Sequence, residues 1–357
     1  MDKVRDQLVA TTSKLISFKT ISGDAPKIDE CLAYIYEYFD GSGLYRQYFT
    51  QNGVRSLLVS NSNSKTPDLL LNGHIDVVEG LSGQFNPRLT GNKLYGRGAI
   101  DMKGSIAVMM QLMKQVKTSN TVAALFVSDE EIHGENGTKY VLSKGLRPKF
   151  TIITEESDFA ISVGQKGDFI LKLTAFGKKA HTAWPKDGDN AIDKVISIYQ
   201  EFRRTLRSKR SFAPTLNLAT ISGGVGVQFV PDFAEAMVDI RVTNKGEYQA
   251  VIDMIERVNA RKDCKVEALS TISFMEAGDC QDEIKQLKAA TSAIIGGVPK
   301  IVRTPYGSDG RFLTERGLPV VEFGPTGAGF HGDEEYVDID RLVQYYRTLE
   351  KFIGGLE

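Results

Sequence analysis

The stretch Asp68-Leu69-Leu70-Leu71-Asn72-Gly73-His74-Ile75-Asp76 decides how this chain reads. Its apolar run has no polar alternation, as expected of a strand buried on both faces of a sheet. The run ends in glycine, so His74 falls at the strand's C-terminal end, where open α/β sheets bind ligands. Taken alone, a strand-end histidine reads first as a hydrogen-bonded structural residue, and the Gly73–Asp76 context weakens that reading. Asp76, two residues on, offers a carboxylate that would fix its tautomer and raise its basicity. Two further buried strands, 121–127 and 150–154, end in the same manner. They deliver Ser128-Asp129-Glu130-Glu131 and Glu155-Glu156. Ahead of them, 104–116 reads as a buried helix carrying Ile106, Val108, Met109, Met110, Leu112 and Met113. A methionine cluster at helical spacing reads as core packing.

The rest of the first part fits this frame. Residues 3–18 form an amphipathic helix with Val4, Leu8, Leu15 and Ile16 on one face. A second helix covers 26–40, starting near Pro26, and 56–60 is a short strand. From 169 the pattern changes to the alternation of a half-exposed strand. A helix at 190–209, strands at 215–221 and 233–243, a helix at 247–260 and a strand at 264–271 follow. The order β-α-β-β-α-β is a split βαβ unit and marks an inserted domain. Gly223-Gly224-Val225-Gly226 reads as a hairpin connection between two of its strands. Strand–helix alternation then resumes, with Arg311-Phe312-Leu313, a strand at 319–323 and a final helix at 340–352.

Bulk composition narrows the function classes. The 357 residues, 41% hydrophobic and 25% charged, suit one large domain or two ordinary ones. A formal net charge of −1 gives no field favouring nucleic acid or an anionic membrane. No apolar run approaches the roughly 20 residues a membrane span needs. The first residues carry charges of both signs and no apolar core of a secretory signal. Cys31, Cys264 and Cys280 are odd in number and widely spaced, which suits buried free thiols in a reducing cytoplasm rather than a disulfide framework.

The chemistry-bearing residues are few. There are four histidines: His74, His133, His181 and His331. Neutral imidazole with carboxylate is the donor set expected for zinc-like ions. Asp101 sits in a turn with Gly96, Gly98 and Gly104 ahead of a helix, and read locally it is a helix cap as readily as a ligand. The spacing fits no dinucleotide or phosphate loop. Of Glu130 and Glu131, one can bind metal while the other accepts a proton from water; the same three acids alone would also suit a solvated loop. His133 and Glu135 read as surface or supporting residues. Glu155 follows its strand directly and Glu156 is ambiguous beside it. His181 lies within Ala180-His181-Thr182-Ala183-Trp184-Pro185 of the inserted domain, and His331 in a loop after the strand at 319–323.

Six segments together are specific where each alone is weak. They are Gly73–Asp76, Tyr95–Gly104, Asp129–Glu131, Gly177–Pro185, Ser308–Phe312, and His331 with Asp333-Glu334-Glu335. With these the chain resembles the M20 family of co-catalytic metallopeptidases and amidohydrolases, in the style of its succinyl-diaminopimelate desuccinylase and acetylornithine deacetylase branch. The resemblance implies an α/β fold. A zinc-peptidase-like catalytic domain with a central mixed sheet would cover 1–164 and 281–357. A ferredoxin-like βαββαβ lid and dimerisation domain would cover 165–280. It implies two divalent metal ions, zinc with cobalt or manganese as alternatives. His74 and Glu155 would hold one, Glu131 and His331 the other, and Asp101 would bridge them. Glu130 would be the general base and Asp76 would orient His74. His181 would help hold the oxyanion in the active site of a partner subunit. Arg241, Ser308 and Asp309 would lie on the substrate side. Thr154-Glu155-Glu156 stands where the family has Gly-Glu-Pro, and Gln228 where an asparagine is common. The implied activity is hydrolysis of the amide bond of an N-acyl amino acid by metal-activated water. The alternatives are an exopeptidase of the same family and a metal-dependent binding protein without catalysis; the presence of Glu130 speaks against the latter.

Overall fold

The computed structural model describes residues 3–115 and 117–356. They form two compact units. The first comprises Met1–Val163, Glu276–Val302 and Ser308–Glu357; the second comprises Gly164–Met275 and Arg303–Gly307.

In the first unit the strand Leu69–His74 is buried at every position. It runs parallel to Val122–Val127 on one side and to Phe150–Ile153 on the other. Burial on both faces is why its sequence shows no alternation. Beyond these lie Val54–Ser60, antiparallel to Val122–Val127, and Val320–Glu322, parallel to Phe150–Ile153. The sheet is therefore mixed. The helix Gly104–Gln115 is buried over Gly104–Met113, so its methionines are core, as their spacing predicts. Val116, the expected last residue of that helix, lies outside the described residues. Gly73 is required by this packing. A Cβ there would come within 2.9 Å of Ile106 Cδ1 and Met102 Cε. The closing helix Ile339–Gly354 buries Ile339, Leu342, Tyr345, Tyr346, Leu349 and Phe352, a stripe at 3–4 residue spacing.

Two features of this unit differ from expectation. The strand Val54–Ser60 is half of a hairpin whose other half is Tyr45–Gln51. A small antiparallel sheet also forms from Arg88–Thr90, Lys93–Tyr95, Tyr336–Asp338 and Gly327–Ala328. Its pairing of Tyr95 with Tyr336 sets the glycine-rich turn after Tyr95 beside the loop before Tyr336.

The second unit is one four-stranded antiparallel sheet in the order Thr215–Gly223, Phe233–Val242, Gly167–Phe176, Cys264–Ile272. Along Gly167–Phe176, Phe169, Leu171, Leu173 and Ala175 are buried and alternate with half-buried neighbours. The helices Ala191–Thr205 and Lys245–Asn259 share their core. Their N-termini are capped by the side chains of Asn190 and Asn244. This is the ferredoxin-like βαββαβ order. Its expected C-terminal limit at 280 moves to Met275. Ala277 donates to Val163 O and accepts from Val320 N–H, and Cys280 is buried in the first unit's core. Conversely Arg303–Gly307, expected in the catalytic part, groups with the second unit. The cysteines are free and buried. Among the described residues no helix is long and apolar enough to cross a membrane.

Candidate active site

Three strand ends and two loops of the first unit converge on one cluster. His74 closes the strand Leu69–His74 and is 1% exposed. Its Nδ1 lies 2.9 Å from the Asp76 carbonyl, which turns Nε2 toward Asp101 Oδ1 at 3.0 Å and Glu155 Oε1 at 3.3 Å. Asp101 Oδ2 faces the other way, 3.1 Å from His331 Nε2, which is also 3.2 Å from Glu131 Oε1. Two three-residue groups result, His74–Asp101–Glu155 and Asp101–Glu131–His331, with Asp101 common to both.

The local backbone explains these positions. Asp101 lies in an irregular turn, Ala99–Lys103, where its φ of −115° and ψ of 88° are not helical. Gly98 precedes it at a φ of 80°, which glycine adopts without strain. His331 also has a positive φ, 60°, uncommon for a residue with a side chain and recurrent at functional sites. Glu130 and Glu131 open a short turn, Glu130–Ile132, directly after the buried strand. Their N–H groups donate to Asp76 Oδ1 and Oδ2 at 3.3 Å. Asp76 Oδ2 also accepts from Ser22 Oγ at 2.8 Å. Asp76 thus meets the His74 ring most closely through its main-chain carbonyl, while its carboxylate, with Oδ1 3.6 Å from Nδ1, also anchors the Glu130 loop.

The electrostatics are those of too many acids for the available cations. Burial pushes Glu130 up to about 8. Glu155 is raised well above its usual range by burial, although His74 opposes this. Burial raises Glu131 as well. His331 rises to about 9, chiefly through its hydrogen bond to Asp101. Burial works against a charged His74, yet Glu155, Asp101 and Asp76 hold it well above its usual value. Convergent carboxylates that suppress one another's ionisation, around two ring nitrogens and a shared aspartate, fit a pair of divalent cations by donor chemistry.

Glu156 is half-buried and pushed up to about 8 by burial and Asp101, but it is Glu155 that reaches His74. His133 contributes its carbonyl, which accepts from Arg311 Nη2 at 2.7 Å, and Glu135 pairs on the surface with Lys139. Ser308 and Asp309 are 2% and 1% exposed. Asp309 accepts from Thr138 Oγ1 at 2.6 Å, and a Cβ on Gly134 would lie 2.1 Å from its Oδ1. Asp309 thus packs beneath the Glu130 loop, at Gly134 and Thr138. Arg241 and His181 belong to the second unit. Arg241 is held by Asp239 at 2.8 Å and Asp168 at 3.0 Å. His181 is exposed, accepts Ala183 N–H at Nδ1 and lies against Trp184.

Sequence reading missed Arg97, Lys103 and Glu335. All three are charged and nearly fully buried. Lys103, pulled down to about 8 by burial, donates to Phe18 O at 2.8 Å. Arg97 and Glu335 form an ion pair at 2.8 Å. Their positions within the quoted motifs were the only available signal.

Fold and donor set together define a metal-dependent hydrolase with a dinuclear-type candidate site. The chain belongs to peptidase family M20/M25/M40, whose profile matches residues 70–354. It is 30% identical to a succinyl-diaminopimelate desuccinylase of Wolbachia pipientis subsp. Culex pipiens (strain wPip), over 97% of this chain and 92% of that protein. Its fold is similar to that of aminopeptidase PepT from Bacillus cereus ATCC 10987, with TM-score 0.77, 18% identity and 98% of each chain covered. It is also similar to that of the Bacillus subtilis YXEP protein, a dinuclear metal binding peptidase from the M20 family. There the TM-score is 0.67 and the identity 16%, over 99% of this chain and 98% of that one. The protein is a metal-dependent amidohydrolase.

Proposed function

We propose that this chain removes the succinyl group from N-succinyl-diaminopimelate, releasing succinate and the free amine. The observation that carries this reading is the near full-length match to a protein named for that reaction. His74 and Glu155 would hold one ion, Glu131 and His331 the other, with Asp101 between them. Zinc suits these donors first, and cobalt or manganese next. When bound, such a pair supplies Lewis acidity that makes water nucleophilic near neutral pH. Glu130 accepts the water's proton as the oxygen adds to the amide carbon. The C–N bond then breaks and Glu130 returns the proton to the departing nitrogen. Arg241, half-exposed and aligned by two carboxylates, would meet a substrate carboxylate.

The same reading includes a homodimer formed through the second unit, in which His181 of one copy serves the other's reaction centre. The edge strand Thr215–Gly223 and the connection after it support this. There Ile221, Val225, Val227 and Phe229 are 44%, 73%, 86% and 42% exposed, an apolar edge that favours covering. Three free buried thiols support a cytoplasmic location.

The test is hydrolysis of N-succinyl-diaminopimelate, N-acetylornithine and a set of dipeptides by metal-stripped protein, with and without added Zn²⁺ or Co²⁺. Metal-restored turnover of the succinyl compound is the expected result. Turnover of dipeptides alone would overturn the deacylase reading. Sedimentation at working concentration tests the dimer; a fully active monomer would remove the role of His181 in trans.

A further inference from the structure

We propose that Glu335 is a positioning residue that sets the affinity of one half of the metal pair, the half held by Asp101, Glu131 and His331. The inference rests on the metal reading above. Glu335 lies four residues beyond His331 and is 1% exposed. Its Oε2 accepts Arg97 Nη1 at 2.8 Å and the Gly98 N–H at 2.9 Å. Its Oε1 accepts the N–H groups of Ile100 at 3.1 Å and Asp101 at 3.3 Å. Its backbone carbonyl accepts Gly96 N–H at 3.0 Å. One carboxylate thus satisfies the turn that carries the shared ligand.

Arg97 closes a circuit. Its Nη2 donates to the carbonyls of His331 at 3.3 Å and Glu79 at 3.2 Å. The buried pair therefore fixes the backbone of Asp101 and the backbone of His331 relative to each other, and these two side chains meet at 3.1 Å. His74 and Glu155 stand outside the circuit. His74 is fixed by its ladder with Val127 and by the Asp76 carbonyl, and Glu155 follows the strand Phe150–Ile153. The ion at His74 keeps two ligands independent of Glu335, whereas the other keeps only Glu131.

Both oxygens of the Glu335 carboxylate act as acceptors. Burying two charges costs about what their attraction returns, so an ion pair of this kind is poor evidence of stabilisation. Its four donors all point at acceptor oxygens. A glutamine of the same shape would turn an NH₂ group toward N–H donors on one side, and the turn would have to shift.

The experiment is titration of the metal-stripped full-length protein with Co²⁺, by calorimetry and visible absorption. Wild type, Glu335→Gln, Glu335→Asp and His331→Ala are compared, with metal-free melting curves and kcat and KM alongside. Wild type is expected to take two ions, and His331→Ala to lose one of them, which identifies that half. Glu335→Gln should weaken the same ion about 10–100-fold while the other changes far less. Glu335→Asp should fall between, and kcat should drop with KM little changed. Equal weakening of both ions together with a lower metal-free melting temperature would reduce Glu335 to a structural role and overturn the proposal, as would wild-type affinity for both. If Glu335→Gln does not fold, Glu335→Asp and Arg97→Lys carry the same comparison. A wild type that takes fewer than two ions would overturn the metal reading itself, and this inference with it.

Discussion

Asp76 Oδ2 accepts the backbone N–H of Glu131 at 3.3 Å, so a carboxylate rooted at one strand end fixes the loop delivered by its neighbour. Oδ1 does the same for Glu130. The two strands lie side by side in parallel register, which is what brings the groups together. Asp76→Asn should leave His74 in place, because its ring is held by the main-chain carbonyl. It should release the Glu130 loop, since one oxygen becomes a donor facing an N–H. The expected outcome is a 10–100-fold fall in activity. Metal content at the His74 group should be retained, as metal analysis beside steady-state kinetics would check.

Glu130 is the sharpest point for testing the chemistry. Its carboxyl is absent from both ligand groups; burial among neighbouring acids raises it, and cations held by those acids would bring it back down. A base works best with a pKa near the working pH, where it can both accept and return a proton. Glu130→Gln preserves size and removes the proposed proton acceptor. Turnover should fall by about 10²-fold or more while both ions still bind. A Glu130→Gln protein with full turnover would sink the assignment.

What the sequence disclosed and what it hid follow from length scales. The closing helix and the strands Leu69–His74 and Val122–Val127 are long, uniformly patterned and legible. The strand Tyr45–Gln51 is polar and only partly buried, so no apolar pattern marked it. Its turn did carry a signal: Asn52-Gly53, both at positive φ, is a standard hairpin pair. The small sheet has strands of two or three residues, too short for any periodicity. Yet that sheet is what unites the Asp101 turn with the His331 loop. Glu334 and Glu335 are adjacent and chemically identical, but the first has a side chain 79% exposed and the second 1%. Only the register of Tyr336 against Tyr95 distinguishes them.

Stability should show an acid limb traceable to Asp68. Its carboxylate pairs with Lys149 at 2.7 Å and accepts from Thr121 N–H and Oγ1 at 2.7 Å each. These partners pull it from 3.8 down to about 2. A depressed acid contributes stability that is fully present above its unfolded pKa and lost as pH falls through the folded one. The window is therefore from about 4 down to about 2. Lys149 is 70% exposed and solvent screens it, so Asp68→Asn should cost only about 1–2 kcal/mol at neutral pH. Urea unfolding of wild type and variant between pH 7 and pH 3 should show a constant gap that narrows below about pH 4. A gap independent of pH would assign the loss to packing instead.

Gly324 offers a way to move Glu155, a proposed ligand, without substituting it. A Cβ at this position would lie 1.9 Å from the carbonyl oxygen of Glu155 and 2.6 Å from its carbonyl carbon. Both are backbone atoms of a segment bound into the sheet, so no side-chain rotation can relieve the contact. Either the chain at Gly324 retreats from Ile153, to which Phe323 N–H donates at 2.9 Å, or Glu155 shifts away from His74. Overpacking of this kind costs about 1–3 kcal/mol. Gly324→Ala should therefore lower the melting temperature modestly. It should also weaken the ion at the His74 group and spare the one at His331, the reverse of the pattern expected for Glu335→Gln. Co²⁺ titration of the two variants side by side would show this opposition. Loss of the same ion in both would mean that Glu155 does not belong to the His74 half.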